Sequence, residues 1–312
     1  MTTQNTAQSF APAVSHELPE GVQAALNRVE SLMIEVVDSD VTVLRDASRH
    51  ILSAGGKRVR PRLVLLAYTA SGGSKPEIAV PVAAAVELVH TASVVHDDIN
   101  DHGVVRRGRP SVNAKWGRTF ALLTGDFLFT KVYELMSPFK DLNISLADAT
   151  VALVEGETLQ ASAVKDNNFT REVYYQIIAR KTAALFRASG ELGARLANGA
   201  PEHVEALANF GYNVGLAFQI IDDVLDLTGD TEQLGKTAGI DLEQGRGFAA
   251  VQEDDMLTSL KERVLQGDGI NEAYDQAQAL VSAAISELDA LPASAARDAL
   301  IDLAHLIVER SY

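Results

Sequence analysis

Two acidic motifs are the residues in this sequence best suited to chemistry. The first is residues 97–101, Asp-Asp-Ile-Asn-Asp, and the second is residues 222–226, Asp-Asp-Val-Leu-Asp. Helical residues four positions apart share a face, so each motif would gather its carboxylates in one patch at the end of an apolar segment. Such a patch is unfavourable without a counter-ion, and Mg²⁺ prefers oxygen ligands of this kind. The two motifs together predict a metal site, with solvated acidic helix ends as the alternative.

Positive charge is concentrated in two further groups. They are Lys57, Arg58, Arg60 and Arg62, and Arg106, Arg107, Arg109, Lys115 and Arg118. The first group follows Gly55-Gly56, whose backbone N–H groups could contact an anion near a helix N-terminus. A surface basic patch, or a glycine helix cap followed by ordinary helix cations, is the alternative. Basic groups beside acidic motifs suit a diphosphate, held both through a cation and by direct contacts.

The residues that the sequence lacks exclude several kinds of catalysis. The chain has no cysteine, which removes thiolate nucleophiles and Cys-ligated metals, and no serine lies in a Gly-x-Ser-x-Gly context. The favoured reaction is therefore ionisation of a diphosphate ester, driven by stabilisation of the departing diphosphate.

The elements that must position these groups are predicted to be helices. Apolar residues recur three and four positions apart, as at Leu26, Val29, Met33 and Val37, and strict two-residue alternation is missing. The expected helices are 21–38, 41–53, 60–71, 77–98, 113–136, 142–163, 170–198, 201–228, 249–266, 270–290 and 294–311. This pattern predicts an all-α, single-domain bundle of about a dozen helices. Residues 1–19 are expected to be a mobile tail and residues 20–312 the domain.

The net charge and the hydropathy of the chain limit its possible binding partners and its cellular location. Lys and Arg total 27 against 42 Asp and Glu, a net charge of −15, which disfavours binding to nucleic acid. The N-terminal residues lack a signal-peptide pattern, and no uninterrupted apolar run reaches the length of a membrane span. A cytoplasmic protein without a transmembrane segment is expected.

The ordered motifs resemble those of the trans-isoprenyl diphosphate synthases over about residues 22–312. The matching segments are residues 55–61, the motif at 97–101, residues 106–108, 125–126 and 181–182, Gln219, the motif at 222–226, and residues 235–236. The resemblance implies an all-α bundle around a central cavity, a homodimer, and Mg²⁺ as the cofactor. It also implies condensation of isopentenyl diphosphate with an allylic diphosphate, releasing diphosphate.

The same resemblance assigns roles to individual residues. Isopentenyl diphosphate would be held by Lys57, Arg60, His90 and Arg107, and the allylic diphosphate by Arg106, Lys181, Gln219 and Lys236. The metal would be held by Asp97, Asp101 and Asp222 as principal ligands, with Asp98 and Asp226 as further metal ligands. Lys181 and Thr182 would act near the developing cation, which makes them catalytic candidates together with Asp97 and Asp222. A buried core role for His90 is the alternative, and whether His96 orients Asp97 is left open.

Product length depends on side chains below the first acidic motif. In the family, aromatic residues at the positions of Ala92 and Ser93 stop growth at a short product. Both are small here, so a product of C20 or longer is expected, and residues 156–160 favour the long-chain branch of C30 to C50. The tunnel floor is left open among Phe127, Phe129, Tyr133, Met136 and Leu153.

Two other functions fit the sequence less well than a prenyl diphosphate synthase, and one segment departs from the family pattern. A class I terpene cyclase usually carries a different second metal motif, and a non-catalytic regulatory subunit typically loses an acidic motif or basic contacts, whereas this chain retains all of them. After residue 245 many relatives continue with Thr-Leu-Pro, but this chain has Arg246-Gly247-Phe248-Ala249. The family pattern therefore does not predict where that helix starts or whether the segment acts as a lid.

Overall fold

The computed structural model describes residues 18–228 and 268–309, and within them twelve α-helices. Their bounds are α1 Val22–Val36, α2 Thr42–Leu52, α3 Val59–Ala70, α4 Val80–Asn100, α5 Val112–Trp116, α6 Arg118–Met136, α7 Lys140–Lys165, α8 Arg171–Ile178, α9 Ala184–Leu196, α10 Pro201–Thr228, α11 Asp268–Glu287 and α12 Ala295–Val308. The predicted all-α bundle is confirmed. The expected helix 249–266, the departure after residue 245 and Lys236 lie outside the described residues.

Helix α4 is the centre of the bundle. Residues 82–89 are each at most 3% exposed, and α4 packs against α1, α3 and α6. The stretch Pro76–Asn100 is long and apolar enough to cross a membrane, but 78% of its most apolar window is buried inside the protein. A helix that is apolar on every face is buried in this way in a bundle core, and its C-terminal end delivers the first acidic motif to one end of the molecule.

A second layer of packing positions the other acidic motif. Helix α9 lies between α3 and α10, and α10 packs on α11 along its other side. The second motif occupies the C-terminal part of α10, with Asp223 and Asp226 buried. The two motifs thus stand at corresponding helix ends, as the sequence predicted.

Three local features differ from the expected elements. The segment 113–136 is two helices, separated at Gly117, whose φ is 83°. The segment 170–198 is interrupted by a π-helical turn, Ala179–Ala183. A short hairpin, not expected from the periodicity, pairs Val105–Arg106 (β1) with Arg109–Pro110 (β2) in antiparallel register. Two-residue strands are too short for alternation to reveal them.

Candidate functional site

One cavity collects most of the residues singled out in the sequence. It lies between α4, the hairpin, α7, α8, the π-helical turn and α10. Ten of the predicted site residues line it: Arg60, His90, Ser93, Asp97, Asp101, Arg106, Lys181, Thr182, Gln219 and Asp222. Its remaining walls are largely apolar, with Val94, Leu153, Ile177 and Phe218 among them. Charged groups of both signs therefore stand around an apolar interior.

The three aspartates of the first motif do not share one environment. Asp97 and Asp101 line the cavity, whereas Asp98 is fully buried and does not line it. One oxygen of Asp98 accepts hydrogen bonds from Nε and Nη2 of Arg106, at 3.1 and 2.6 Å. Burial raises the pKa of Asp98, and the Arg106 guanidinium offsets part of that rise. Asp98 therefore holds Arg106 in place at the cavity wall.

The hairpin after α4 presents two arginines in different directions. Arg107 and Gly108 form its turn with φ values of 51° and 71°, a left-handed conformation typical of two-residue hairpin loops. Arg106 faces the cavity. The guanidinium of Arg107 lies over Gly56, where an added Cβ would come within 2.8 Å of Nη1. Arg107 thus covers the glycine loop and stands outside the cavity lining.

The basic group before α3 divides into a structural and a site residue. Arg58, with a φ of 48° and 6% exposure, donates hydrogen bonds to Glu30, to Glu87 and to the carbonyl oxygen of Leu52. Arg60 instead lines the cavity, with its guanidinium carbon 4.5 Å from the centroid of the Phe186 ring. The Arg58 contacts fasten the start of α3, which directs Arg60 inward.

His90 stands beneath this positive charge. Burial lowers the pKa of His90 well below its usual value, and Arg60, Arg107 and Arg106 lower it further. The imidazole is therefore neutral at pH 7 and can donate one hydrogen bond into the cavity. This arrangement favours the predicted ligand role over a core role, since His90 is among the cavity-lining residues.

The π-helical turn brings Lys181 and Thr182 to the cavity on consecutive positions. Lys181 Nζ lies 2.8 Å from Glu157 Oε1, 3.4 Å from Gln160 Oε1 and 4.0 Å from Asp97 Oδ2. Burial raises the pKa of Glu157, and the Lys181 ammonium lowers it, which offsets part of that rise. Burial by itself would lower the pKa of Lys181, but Asp97 and Glu157 together raise it. Lys181 is therefore a charged ammonium between two helices.

A chain of hydrogen bonds orients the neighbouring polar groups. Thr182 Oγ1 donates to Gln219 Oε1 at 2.7 Å, and Gln219 Nε2 donates to Asp223 Oδ1 at 2.8 Å. Tyr174 donates its hydroxyl to the other oxygen of Asp223 at 2.8 Å. This chain fixes the amide of Gln219. Tyr174 and Asp223 were not predicted as functional, although the four-residue spacing of Gln219 and Asp223 on α10 was a usable signal.

Several predicted residues lie outside the cavity lining. Lys57, Ala92, Arg107 and Asp226 are not part of it, and Ala92 is buried in the bundle. His96 points toward α6, with Nε2 3.2 Å from the carbonyl oxygen of Leu122 and 3.4 Å from Asp126 Oδ1. Among the candidates for the tunnel floor, Leu153 lines the cavity and Tyr133 is 65% exposed.

The donor set fits a hard divalent cation. Asp97, Asp101 and Asp222 offer only oxygen ligands, which suit Mg²⁺, and they face one cavity. Among residues 18–228 and 268–309, no three Asp, Glu or His side chains are close enough to form a coordination sphere by themselves. A cation here would therefore complete its sphere with water or with phosphate oxygens, as Mg²⁺ commonly does.

Comparison with curated proteins finds close relatives along nearly the whole chain. The octaprenyl diphosphate synthase of Escherichia coli (strain K12) is 34% identical over 306 residues, which cover 90% of this chain and 94% of the relative. The heptaprenyl diphosphate synthase component 2 of Geobacillus stearothermophilus is 40% identical over 309 residues, covering 92% and 96%. Both are named as polyprenyl diphosphate synthases or parts of one.

Solved structures show the same fold. A polyprenyl synthase from Caulobacter crescentus CB15, crystallised with calcium and isoprenyl diphosphate, superimposes with a TM-score of 0.85 at 33% identity, covering 93% of this chain and 95% of that one. The profile of the polyprenyl synthetase family matches residues 41–282. With its two acidic motifs facing one cavity inside the shared fold, this chain belongs to the polyprenyl synthetase family.

Proposed function

We propose that this protein is a Mg²⁺-dependent prenyltransferase. It condenses isopentenyl diphosphate with an allylic diphosphate and releases diphosphate, forming a trans-polyprenyl diphosphate of C20 or longer. The observation that carries this proposal is the shared cavity, whose lining combines Asp97, Asp101 and Asp222 with Arg60, His90 and several apolar side chains. Such a cavity can hold two diphosphates at its charged rim and a hydrocarbon chain in its interior.

The two substrates use different parts of the rim. Lys57, Arg60, His90 and Arg107 hold isopentenyl diphosphate. Arg106, Lys181, Gln219 and Lys236 hold the allylic diphosphate. Asp97, Asp101 and Asp222 hold Mg²⁺, with Asp226 one turn after Asp222, whereas Asp98 holds Arg106. The contact of Arg107 with the glycine loop supports a shared anion site there, although Arg107 and Lys57 lie outside the lining of the cavity.

The chain's own residues support the ionisation step. The carbon–oxygen bond of the allylic diphosphate breaks with its electron pair leaving on the diphosphate, whose charge Lys181 and Arg106 offset. When bound, Mg²⁺ supplies further charge neutralisation to the same group. Thr182 and Gln219, held by their hydrogen bond, present oxygen dipoles toward the developing cation. The double bond of isopentenyl diphosphate then attacks, and a proton is lost to the departing diphosphate.

Small side chains below Asp97 support a long product. Ser93 lines the cavity and Ala92 is buried beside it, so no aromatic ring closes the cavity at these positions. Leu153, which also lines the cavity, is aliphatic rather than aromatic. The product is proposed to be of the C30 to C50 class, as in the octaprenyl and heptaprenyl relatives, with C20 as the shorter possibility.

An exposed apolar face supports a dimer of this chain, and the cytoplasm is its proposed location. Large apolar side chains on α6 and α7 are each more than 40% exposed: Phe120, Leu122, Leu123, Tyr133, Ile144, Val151 and Val154. A patch of this kind on adjacent helices is typical of an interface. A second copy of the chain is the proposed occupant. A non-identical partner is the alternative, because one relative is named as component 2 of a heptaprenyl diphosphate synthase.

The proposal is tested by incubating the purified protein with Mg²⁺, labelled isopentenyl diphosphate and, separately, allylic diphosphates of C5, C10, C15 and C20. The expected result is elongated diphosphates, whose chain length identifies the product. No elongation from any primer would indicate a regulatory subunit. Cyclised hydrocarbon with release of diphosphate would instead indicate a terpene cyclase.

A further inference from the structure

The Lys181 ammonium lies between two carboxylates and is closer to one of them. It lies 2.8 Å from Glu157 and 4.0 Å from Asp97. Gln160, one turn after Glu157 on α7, places its amide oxygen 3.4 Å from the same ammonium. Residues three positions apart on a helix share a face. Helix α7 therefore presents two polar side chains, Glu157 and Gln160, to the Lys181 ammonium.

A close approach of two backbones sets up this contact. A Cβ added at Gly156 would lie 2.6 Å from the backbone nitrogen of Lys181 and 3.0 Å from its Cα. Only glycine permits α7 to lie this close to the π-helical turn. Because Glu157 follows Gly156 directly, its carboxylate is delivered to the Lys181 side chain by the backbone contact itself.

We infer that Glu157 is a positioning residue that holds the Lys181 ammonium away from Asp97 and over the cavity, where it meets the allylic diphosphate. Lysine has a flexible stem and takes the nearest opposite charge within reach. Without Glu157 that charge is Asp97, and a closed Lys181–Asp97 pair would withdraw one cation from the diphosphate and one carboxylate from the metal site. This inference rests on the role proposed above for Lys181 as a ligand of the allylic diphosphate.

A simple charge effect makes the opposite prediction. Glu157 is a carboxylate beside an anion site, so removing its charge without any change in Lys181 would strengthen diphosphate binding. If Glu157 positions Lys181, removing its charge weakens binding instead. The direction of the change in affinity therefore distinguishes the two roles.

The experiment compares Glu157→Gln with Glu155→Gln. Glu155 lies on the same helix, pairs at 3.8 Å with Arg180, the residue before Lys181, and is exposed. For Glu157→Gln we expect the KM for the allylic diphosphate to rise about tenfold, the size of one charge-assisted hydrogen bond. The KM for isopentenyl diphosphate should stay within about twofold. Glu155→Gln should leave both unchanged. An unchanged or lower allylic KM in Glu157→Gln would overturn the inference.

A binding measurement separates this effect from turnover. Calorimetric titration with an allylic analogue that carries sulfur in place of the bridging oxygen reports affinity without reaction, and Glu157→Gln should weaken it by the same factor. Glu157→Asp keeps the charge but shortens its reach by one methylene, so it should also weaken binding. Wild-type affinity in Glu157→Asp would show that the reach of the carboxylate to Lys181 does not matter, and would overturn the positioning role.

Lys181→Met distinguishes failure of this inference from failure of the proposed site. If Lys181→Met leaves the allylic KM unchanged, the role given to Lys181 is wrong, and the inference falls with it. If Lys181→Met raises the allylic KM but Glu157→Gln does not, only the positioning role is wrong. In the double variant, Glu157→Gln should add no further effect, because both substitutions remove one interaction.

Discussion

Arg106 donates two hydrogen bonds to a single oxygen of Asp98, the second residue of the first acidic motif. The Asp98 side chain is fully buried, and its other oxygen has no hydrogen-bond partner among the described residues. A motif of three aspartates thus contains two that face the cavity and one that anchors an arginine. Neighbouring residues of the motif have different roles because successive side chains on a helix point about 100° apart.

This arrangement separates positioning by Asp98 from metal binding. In Asp98→Asn the carboxylate charge that holds Arg106 is lost, so we expect the allylic KM to rise about fivefold or more. The Mg²⁺ concentration for half-maximal rate should stay within about twofold. Steady-state kinetics at varied Mg²⁺ measure both. A large rise in the Mg²⁺ requirement would instead support the sequence prediction that Asp98 coordinates the metal.

Removing an aspartate that faces the cavity should affect chemistry without unfolding the protein. In Asp97→Ala or Asp222→Ala we expect turnover to fall by at least about a thousandfold, because the diphosphate loses charge neutralisation in the transition state. Helix content by circular dichroism should be unchanged, since neither residue is a core side chain. A rate near that of the wild type in either variant would contradict the proposed metal ligands.

Product length should respond to the size of residue 93. Ser93 lines the cavity, so Ser93→Phe is expected to block chain growth and shorten the longest product, as judged by chromatography of the dephosphorylated prenols. Ala92 is fully buried, and Ala92→Phe should also lower stability by about 1–3 kcal/mol through overpacking. Unchanged products in Ser93→Phe would place the limit on chain growth elsewhere.

The buried pair of Arg58 and Glu87 is expected to matter more than the exposed pair on the same arginine. Glu87 is 3% exposed, whereas the side chain of Glu30 is 53% exposed. Glu87→Gln removes the buried charge partner of the Arg58 guanidinium, leaving only the exposed Glu30, and should lower the free energy of unfolding by about 3 kcal/mol. Glu30→Gln should lower it by at most about 1 kcal/mol. Urea titrations of both variants measure the difference, and equal losses would contradict this ranking.

The lowered pKa of His90 should make the stability of the folded protein depend on pH. The pKa of this histidine is lower in the folded protein than in the unfolded chain, so the unfolded chain binds more protons as the pH falls. Its contribution to stability is fully present above about pH 6.5 and is lost as the pH falls below that value. Unfolding free energies at pH 7.5 and pH 5.5 should therefore differ less in His90→Gln than in the wild type. An identical pH difference in the two proteins would show that His90 is already protonated in the folded state.

The sequence by itself determined the helical class and the placement of both acidic motifs at helix ends, and its resemblance to a family pointed to ten of the residues that line the cavity. The helical class follows from the spacing of apolar residues, which requires buried helix faces. The metal site follows from the carboxylates clustered at the end of such a helix, which require a cation. Even the alternatives for His90 could be stated correctly, because the spacing of His90 and Asp97 places both on one face of α4.

Only the tertiary structure decided which member of each group faces the site. Asp97 and Asp98 are equivalent in sequence, and Arg106 arriving from the hairpin makes them different. Glu157 is one acid among many on α7 until the contact of Gly156 with the π-helical turn brings it to Lys181. The turn itself, the break at Gly117 and the hairpin leave no periodic signal, because each spans six residues or fewer. Partners distant in sequence set these choices, and their approach depends on packing that no local pattern records.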